Sequence, residues 1–135
     1  MSVENVAAFK RASEAGTRFD TDALTAELDP DVEWYPALQA LVEGGAPVYR
    51  GHEGIREMFR DFEGVISENH MEFPDIRDLG DRVVALGIFR NRFKASGAEI
   101  ESPIAYVVDF KSGKIVLVRT FLDHNQALEA AGLSE

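Results

Sequence analysis

Hydrophobic positions at helical spacing open the chain: Val6, Phe9, Ala12, Gly16 and Phe19 fall near one face, and Glu4 stands in the first turn, where the helix dipole favours a carboxylate. The pattern predicts an amphipathic helix to about residue 19. Asp20 or Thr21 can cap a short second helix carrying Leu24 and Leu28, which Asp29-Pro30 ends because proline removes a donor and restricts its predecessor. A brief strand follows, with Val32, Trp34 and Pro36 on one face and Asp31, Glu33 and Tyr35 on the other. The stretch from Ala37 to Arg50 contains Gly44-Gly45-Ala46-Pro47 and has no periodicity; it reads as a loop, either a lid or a passive connection. After Gly51, the residues Ile55, Met58, Phe59, Phe62, Val65 and Ile66 mark a strongly amphipathic helix, whose opposite face carries Glu53, Arg56, Glu57, Arg60 and Asp61.

From there to about residue 123 the chain is strand-like. Gly80-Asp81, Ser96-Gly97 and Ser112-Gly113 divide it, each flanked by apolar or β-branched runs as hairpins demand, so four antiparallel strands are predicted. The last, Lys114 to Asp123, leads into a short helix with Ala127, Leu128 and Ala131, stopped at Gly132 in the place of a C-cap glycine. With no linker or repeat, residues 1–135 are expected to form one domain. Helices followed by a long meander bury their apolar faces together by packing on one side of the sheet, which is the α+β class.

Composition narrows the chemistry. Hydrophobic residues make up 45% and charged residues 28%, the balance of an ordinary globule. The absence of cysteine excludes a disulfide framework, a thiol nucleophile and a thiolate metal site. A net charge of −10 repels phosphate backbones and anionic lipid, and Arg90, Arg92 and Lys94 are spaced for one strand face rather than a binding stripe, so neither nucleic acid nor membrane is an expected partner. The first sixteen residues alternate apolar and charged positions, unlike a signal peptide or membrane helix, and the expected location is the cytoplasm. His52, His70 and His124 lie far apart without a helical His pair, so no metal site is expected, and His52 and His124 read as helix-end residues. No phosphate-binding glycine loop or Ser-His-Asp spacing stands out, and no cofactor is expected.

Four runs carry a resemblance: Asp31-Val32-Glu33-Trp34, Tyr49-Arg50-Gly51-His52-Glu53-Gly54-Ile55-Arg56, Gly113-Lys114-Ile115, and Ala127-Leu128-Glu129-Ala130-Ala131-Gly132-Leu133. With the order of elements, they resemble the SnoaL-like branch of the nuclear transport factor 2 superfamily, relatives of ketosteroid isomerase, over nearly the whole chain. The resemblance implies a cone: a curved, mixed and largely antiparallel sheet wrapped around three to four helices, with an internal apolar pocket. It implies either an isomerase- or cyclase-type enzyme acting on a hydrophobic carbonyl compound, or a non-catalytic ligand-binding or dimerisation module.

Ketosteroid isomerases use a tyrosine and a protonated aspartic acid as oxyanion donors and a separate aspartate as base. Matched locally, the tyrosine position falls on Phe9, the base on Trp34, the donor acid on Ala105 and a supporting tyrosine on Phe59. None of these replacements can accept a proton or donate to an enolate oxygen, and losing one such donor alone costs about two to three orders of magnitude in rate. That mechanism is therefore not expected here.

With Trp34 and Ala105 inward, the two-residue period adds Val107 on the same strand, Val118, Thr120 and Leu122 on the last strand, and Ile88 with Arg90 and Arg92 on the strand after Asp81. Together with Phe9, Met58, Phe59 and Phe62 these form the expected pocket. The aromatic set is either plain core or the wall for a flat, hydrophobic small molecule. Four charged residues are candidates for catalysis. Arg90 or Arg92 could stabilise an enolate, or be surface arginines at a strand end. Asp109 is either an inward carboxylate or a strand-end residue beside the turn from Lys111 to Lys114, and it or Glu33 is the candidate base. The opposite sheet face, with Phe89, Phe93, Tyr106, Leu117 and Phe121, is too apolar to leave in water, so a homodimer through that outer face is expected.

Overall fold

Four helices and six strands make up the described residues of the computed structural model, 2–37 and 47–133. Helix α1 spans Ser2–Thr17 and α2 spans Thr21–Thr25. Between them Phe19 adopts the left-handed conformation, with φ of 57°, and Asp20 donates its N–H to the Ala15 carbonyl at 2.9 Å. The turn ends α1 two residues before the last apolar position of its pattern. Asp20 then caps α2, its carboxylate accepting from the Ala23 N–H at 3.1 Å.

Strand β1 (Leu28–Tyr35) begins where the apolar spacing continued the second helix. Leu28 is buried and pairs with Ile115, whose N–H donates to the Glu27 carbonyl at 3.0 Å. That partner lies far along the chain, so local spacing could not reveal it. A two-residue strand β2 (Tyr49–Arg50) leads into α3 (Gly51–Val65). Gly51 has φ of 72° and sits against the Pro30 carbonyl, a junction that a side chain would strain.

The meander follows as predicted: β3 (Ile66–Asp78), β4 (Arg82–Phe93), β5 (Glu99–Lys111) and β6 (Lys114–Phe121). Its three hairpins turn at Gly80, Gly97 and Gly113, all at positive φ. Helix α4 (His124–Ala130) is capped by Asp123 and closed by Gly132, whose N–H reaches the Glu129 carbonyl while that of Leu133 reaches Leu128 at 2.7 Å. This is the hydrogen-bond pattern of a Schellman turn.

The strands form one unclosed, curved sheet in the order β2-β1-β6-β5-β4-β3, antiparallel except for the parallel β1–β6 pair. Helices α1 and α3 pack on its inner face, where Phe9, Ile55, Met58, Val83 and Val108 join one apolar cluster. On the outer face α4 covers a second, in which Ala127 and Leu128 meet Val84, Leu86, Ala105 and Val107. Along the edge strand β3 the register shifts between Glu72 and Asp75. This bulge lays the Glu72 carbonyl over Gly87, where an added Cβ would stand 1.7 Å from the oxygen. It also changes the parity of β3, so that Phe73 before it and Ile76 after it both pack against the inner cluster.

Candidate functional site

Between α1, α3 and the inner face lies a cavity of about 120 Å³. Helix α1 contributes Phe9, α3 contributes Met58, Phe59 and Phe62, β1 contributes Trp34, and β6 contributes Val118 and Thr120, all as the sequence pattern places them. Gly16, Phe19, Pro36 and Ala37 also line it. The loop read as a lid lies, from residue 38 to residue 46, outside the described residues.

On β4 and β5 the two faces are the reverse of the sequence expectation. Phe89, Asn91, Ile104, Tyr106 and Val108 line the cavity, whereas Ile88, Ala105 and Val107 do not. Ala105 and Val107 instead pack under α4. Leu122 follows the end of β6 and is 39% exposed rather than inside. The cause is the two-residue period: a register one residue out turns every side chain of a strand to the other face. The size of the residues fits the observed sense. A small Ala105 lets α4 approach the outer face, and the inner face carries the bulky rings that fill the curved space. Of the five residues expected to form an apolar outer face, Phe89 and Tyr106 are therefore inside, and Phe93 shares the Phe89 side of β4. Leu117 and Phe121 remain outside.

The four charged candidates also lie away from the cavity. Asp109 is held by Arg82 in a two-pronged ion pair, with Nε–Oδ1 at 2.6 Å and Nη2–Oδ2 at 3.1 Å. Arg92 bridges Glu68 at 3.1 Å and Glu99 at 3.6 Å and donates to the Gly97 carbonyl, so it ties down the β4–β5 hairpin. Glu33 accepts from Arg50 and from the Tyr35 hydroxyl, both at 3.2 Å. Arg90 is on the same side of β4 as Arg92, in register with His70 and Glu101. Nearby, the hydrogen bond from Arg77 holds the Asp75 carboxyl below its usual range.

His52 and His124 each stand at a helix start and donate from Nε2 to backbone carbonyls, of Leu28 at 3.0 Å and of Gly87 at 2.9 Å. Asp123 is a helix cap, its carboxylate accepting from the Asn125 N–H at 2.8 Å. Among the described residues no cluster of His, Asp and Glu could hold a metal ion, and no helix is long and apolar enough to cross a membrane.

What the cavity contains is aromatic and uncharged. The Tyr106 ring lies 6.0 Å from Trp34, 6.1 Å from Phe9 and 5.6 Å from Phe73, and Trp34 meets Phe59 edge-on at 6.3 Å. Such pairs add about 0.5–1.5 kcal/mol each beyond the area they bury. No Asp, Glu, His, Lys or Arg lines the cavity among the described residues. Its polar groups are few. Asn91, 5% exposed, donates to Asn69 Oδ1 at 2.8 Å. The Tyr106 hydroxyl points to Met71 Sδ at 3.9 Å, a weak acceptor, and burial raises its pKa far above the usual phenol value. Thr120 Oγ1 is enclosed without a hydrogen-bond partner among the described residues. An enclosed hydroxyl left unpaired costs about 1–3 kcal/mol.

The pattern reading missed Tyr106, Asn69 and Asn91, yet one signal could have found them. Arg82, Arg90 and Arg92 all occupy even positions of β4, and three arginines mark the face nearest water. The odd positions, Phe89 and Asn91, are then inward, and the β4–β5 pairing brings Tyr106 in with them.

A curved mixed sheet, with helices packed on its inner face around an aromatic cavity, defines a nuclear transport factor 2-like protein. The SnoaL-like domain model matches residues 7–118, and the chain belongs to that family. Among solved structures, an NTF2-like protein of unknown function from Burkholderia pseudomallei K96243 is similar at 24% identity and a TM-score of 0.79, over 93% of this chain and 95% of that one. TerC, crystallised with polyporic acid, is similar at 21% identity and 0.78, over 96% and 97%. A candidate polyketide cyclase from Xanthomonas campestris pv. campestris follows at 18% and 0.72, over 93% and 94%. At these identities the likeness is one of fold. No curated protein matches the chain.

Proposed function

We propose that this chain is a small-molecule-binding protein whose cavity takes a flat, largely apolar aromatic ligand. The observation that carries the reading is the wall itself: Phe9, Trp34, Phe59, Phe62, Phe89 and Tyr106 converge on one space, and no charged side chain joins them among the described residues. Pockets for small hydrophobic molecules have this make-up, mostly apolar with a few fixed polar groups. An isomerase or cyclase of the carboxylate-base type needs an acid facing the substrate, and Asp109 and Glu33 are engaged elsewhere with Arg82 and Arg50. The binding module is thus the better-supported of the two functions that the family resemblance left open. TerC, crystallised with polyporic acid, is an instance of this fold studied with an organic acid ligand.

A thermal-shift screen of aromatic probes tests the reading, with Trp34→Ala as the control. A rise in Tm that the substitution abolishes supports a ligand in this cavity; a flat response to every probe would overturn it.

The second part of the proposal is a homodimer through the part of the outer face that α4 leaves open. Leu117 and Arg119 lie on that face of β6 beside Phe121, which packs against the cluster under α4, and Arg119 Nε is enclosed without a partner among the described residues. A second copy would cover this patch. Sedimentation as a monomer at micromolar concentration would exclude it.

A further inference from the structure

We infer that the cross-strand amide pair of Asn69 and Asn91 is the polar anchor of the cavity, and that it selects a neutral aromatic ligand carrying a carboxamide, whose N–H and C=O meet the amide atoms that the pair leaves free. The inference rests on the ligand-binding reading above and names the ligand class for that same cavity.

Asn69 on β3 and Asn91 on β4 stand directly opposite one another in the register, so their side chains leave the sheet on one face, and both line the cavity. Asn91 Nδ2 donates to Asn69 Oδ1 at 2.8 Å. Two side-chain amides hold four N–H donors and two carbonyl oxygens between them, and a single bond uses one of each. Asn91 Oδ1 and Asn69 Nδ2 have no partner among the described residues. The setting is apolar: the next pair along the same face is Met71 with Phe89, and Phe62 and Ile66 line the same cavity. Asn91 is almost fully buried, so little water reaches its free oxygen. For packing alone, two apolar side chains would fill these positions without the cost of an unmet polar group. Buried polar groups are nearly always paired, and here the missing donor is one that a ligand brings.

The two free atoms ask for opposite things. Asn91 Oδ1 takes a donor, and Asn69 Nδ2 takes an acceptor. A ketone or an ester supplies an acceptor only. A carboxylate or an ammonium arrives with a charge, and no charged side chain lines the cavity among the described residues, so the ion would lose its water without gaining a counter-charge. A carboxamide carries an N–H and a C=O on one uncharged carbon. Successive inward residues of a strand lie about 7 Å apart, so a ring joined to that amide reaches from Asn91 to the Phe89 ring. An apolar cavity of about 150 Å³ holds benzene, and this one, at about 120 Å³, takes a single ring.

Benzamide and acetophenone have nearly the same shape and differ by an NH2 in place of a CH3, so the ratio of their affinities isolates the donor. NMR titration reads it from the indole N–H of Trp34, the sole tryptophan, and from the side-chain amides of Asn69 and Asn91. The ratio of benzamide to acetophenone affinity is expected to fall about three- to tenfold in Asn91→Leu, the usual worth of one neutral hydrogen bond. In the wild type, the N–H protons of bound benzamide are expected to show a nuclear Overhauser effect to the Asn91 side-chain amide protons, a readout that does not depend on the variant folding. An unchanged ratio in folded Asn91→Leu, or no such effect with benzamide bound, overturns the amide anchor while leaving the cavity as a binding site. If neither probe moves the Trp34, Asn69 or Asn91 resonances of the wild type, the ligand-binding reading fails as well.

Discussion

On the outer face of β4 and β5, Arg82 grips Asp109 and Arg92 holds Glu68 and Glu99, with water close to all of them. One residue along on the same two strands, Phe89, Asn91, Ile104 and Tyr106 enclose a space with no formal charge. The contrast follows from desolvation. An ion on the inner side would give up its hydration to aromatic walls, whereas an outer pair keeps part of it. The sheet thus divides the work by parity: even positions of β4 hold the outer surface and α4, and odd positions build the cavity.

The most damaging way to break this division is at Gly87, where the β3 bulge crosses the sheet. A Cβ there meets the Glu72 carbonyl, a backbone atom that cannot swing aside. Gly87→Ala is expected to cost at least about 3 kcal/mol, more than ordinary overpacking, by displacing the bulge and Phe73 with it. Urea denaturation with the slope m held against the wild type measures the loss.

Trp34→Ala acts on the inner face alone. It removes a half-buried ring that touches both Phe59 and Tyr106, so about 2 kcal/mol of stability and all detectable binding of aromatic probes should go together. Retained binding would mean that the ligand does not sit against this wall.

Tyr106 offers a pH readout of the same face. Below the usual phenol value of about pH 10 the folded and unfolded chains both hold its proton. Above it the unfolded chain releases the proton while the buried phenol keeps it, so stability falls as pH rises. Tyr106→Phe should remove this slope, up to about 1.4 kcal/mol per pH unit, from urea midpoints measured between pH 9 and 11. An identical alkaline slope in the variant would place the hydroxyl in contact with water.

Arg82→Ala sharpens the comparison from the other side. The partly exposed pair with Asp109 is worth about 1 kcal/mol or less, and its loss should leave probe affinity within twofold, because Asp109 faces away from the cavity. A large change in affinity would show that the two faces are coupled through β5.

The hairpins were legible because glycine at positive φ is local chemistry, and Gly80, Gly97 and Gly113 all turn where their neighbours' pattern breaks. Helix α3 was legible for the same kind of reason: its apolar stripe of Ile55, Met58, Phe59 and Phe62 repeats at 3.6 residues and needs one buried face whatever lies opposite. The aromatic wall from α1, β1 and α3 came with it. Tyr106 was hidden by the step that placed Ala105 inward, since alternation describes two faces without saying which one meets the helices. Asn69 and Asn91 were hidden too, because their pairing depends on the β3–β4 register.

By itself, then, the order of apolar and turn residues determined the elements, their sequence and the α+β class, since each depends on neighbours within a few positions. Tertiary structure alone decided the parallel pairing of β1 with β6, the bulge over Gly87, and the inward side of β4 and β5. Those depend on contacts between distant residues, above all on α4 settling over the small side chains of one face and leaving the large ones to α1 and α3.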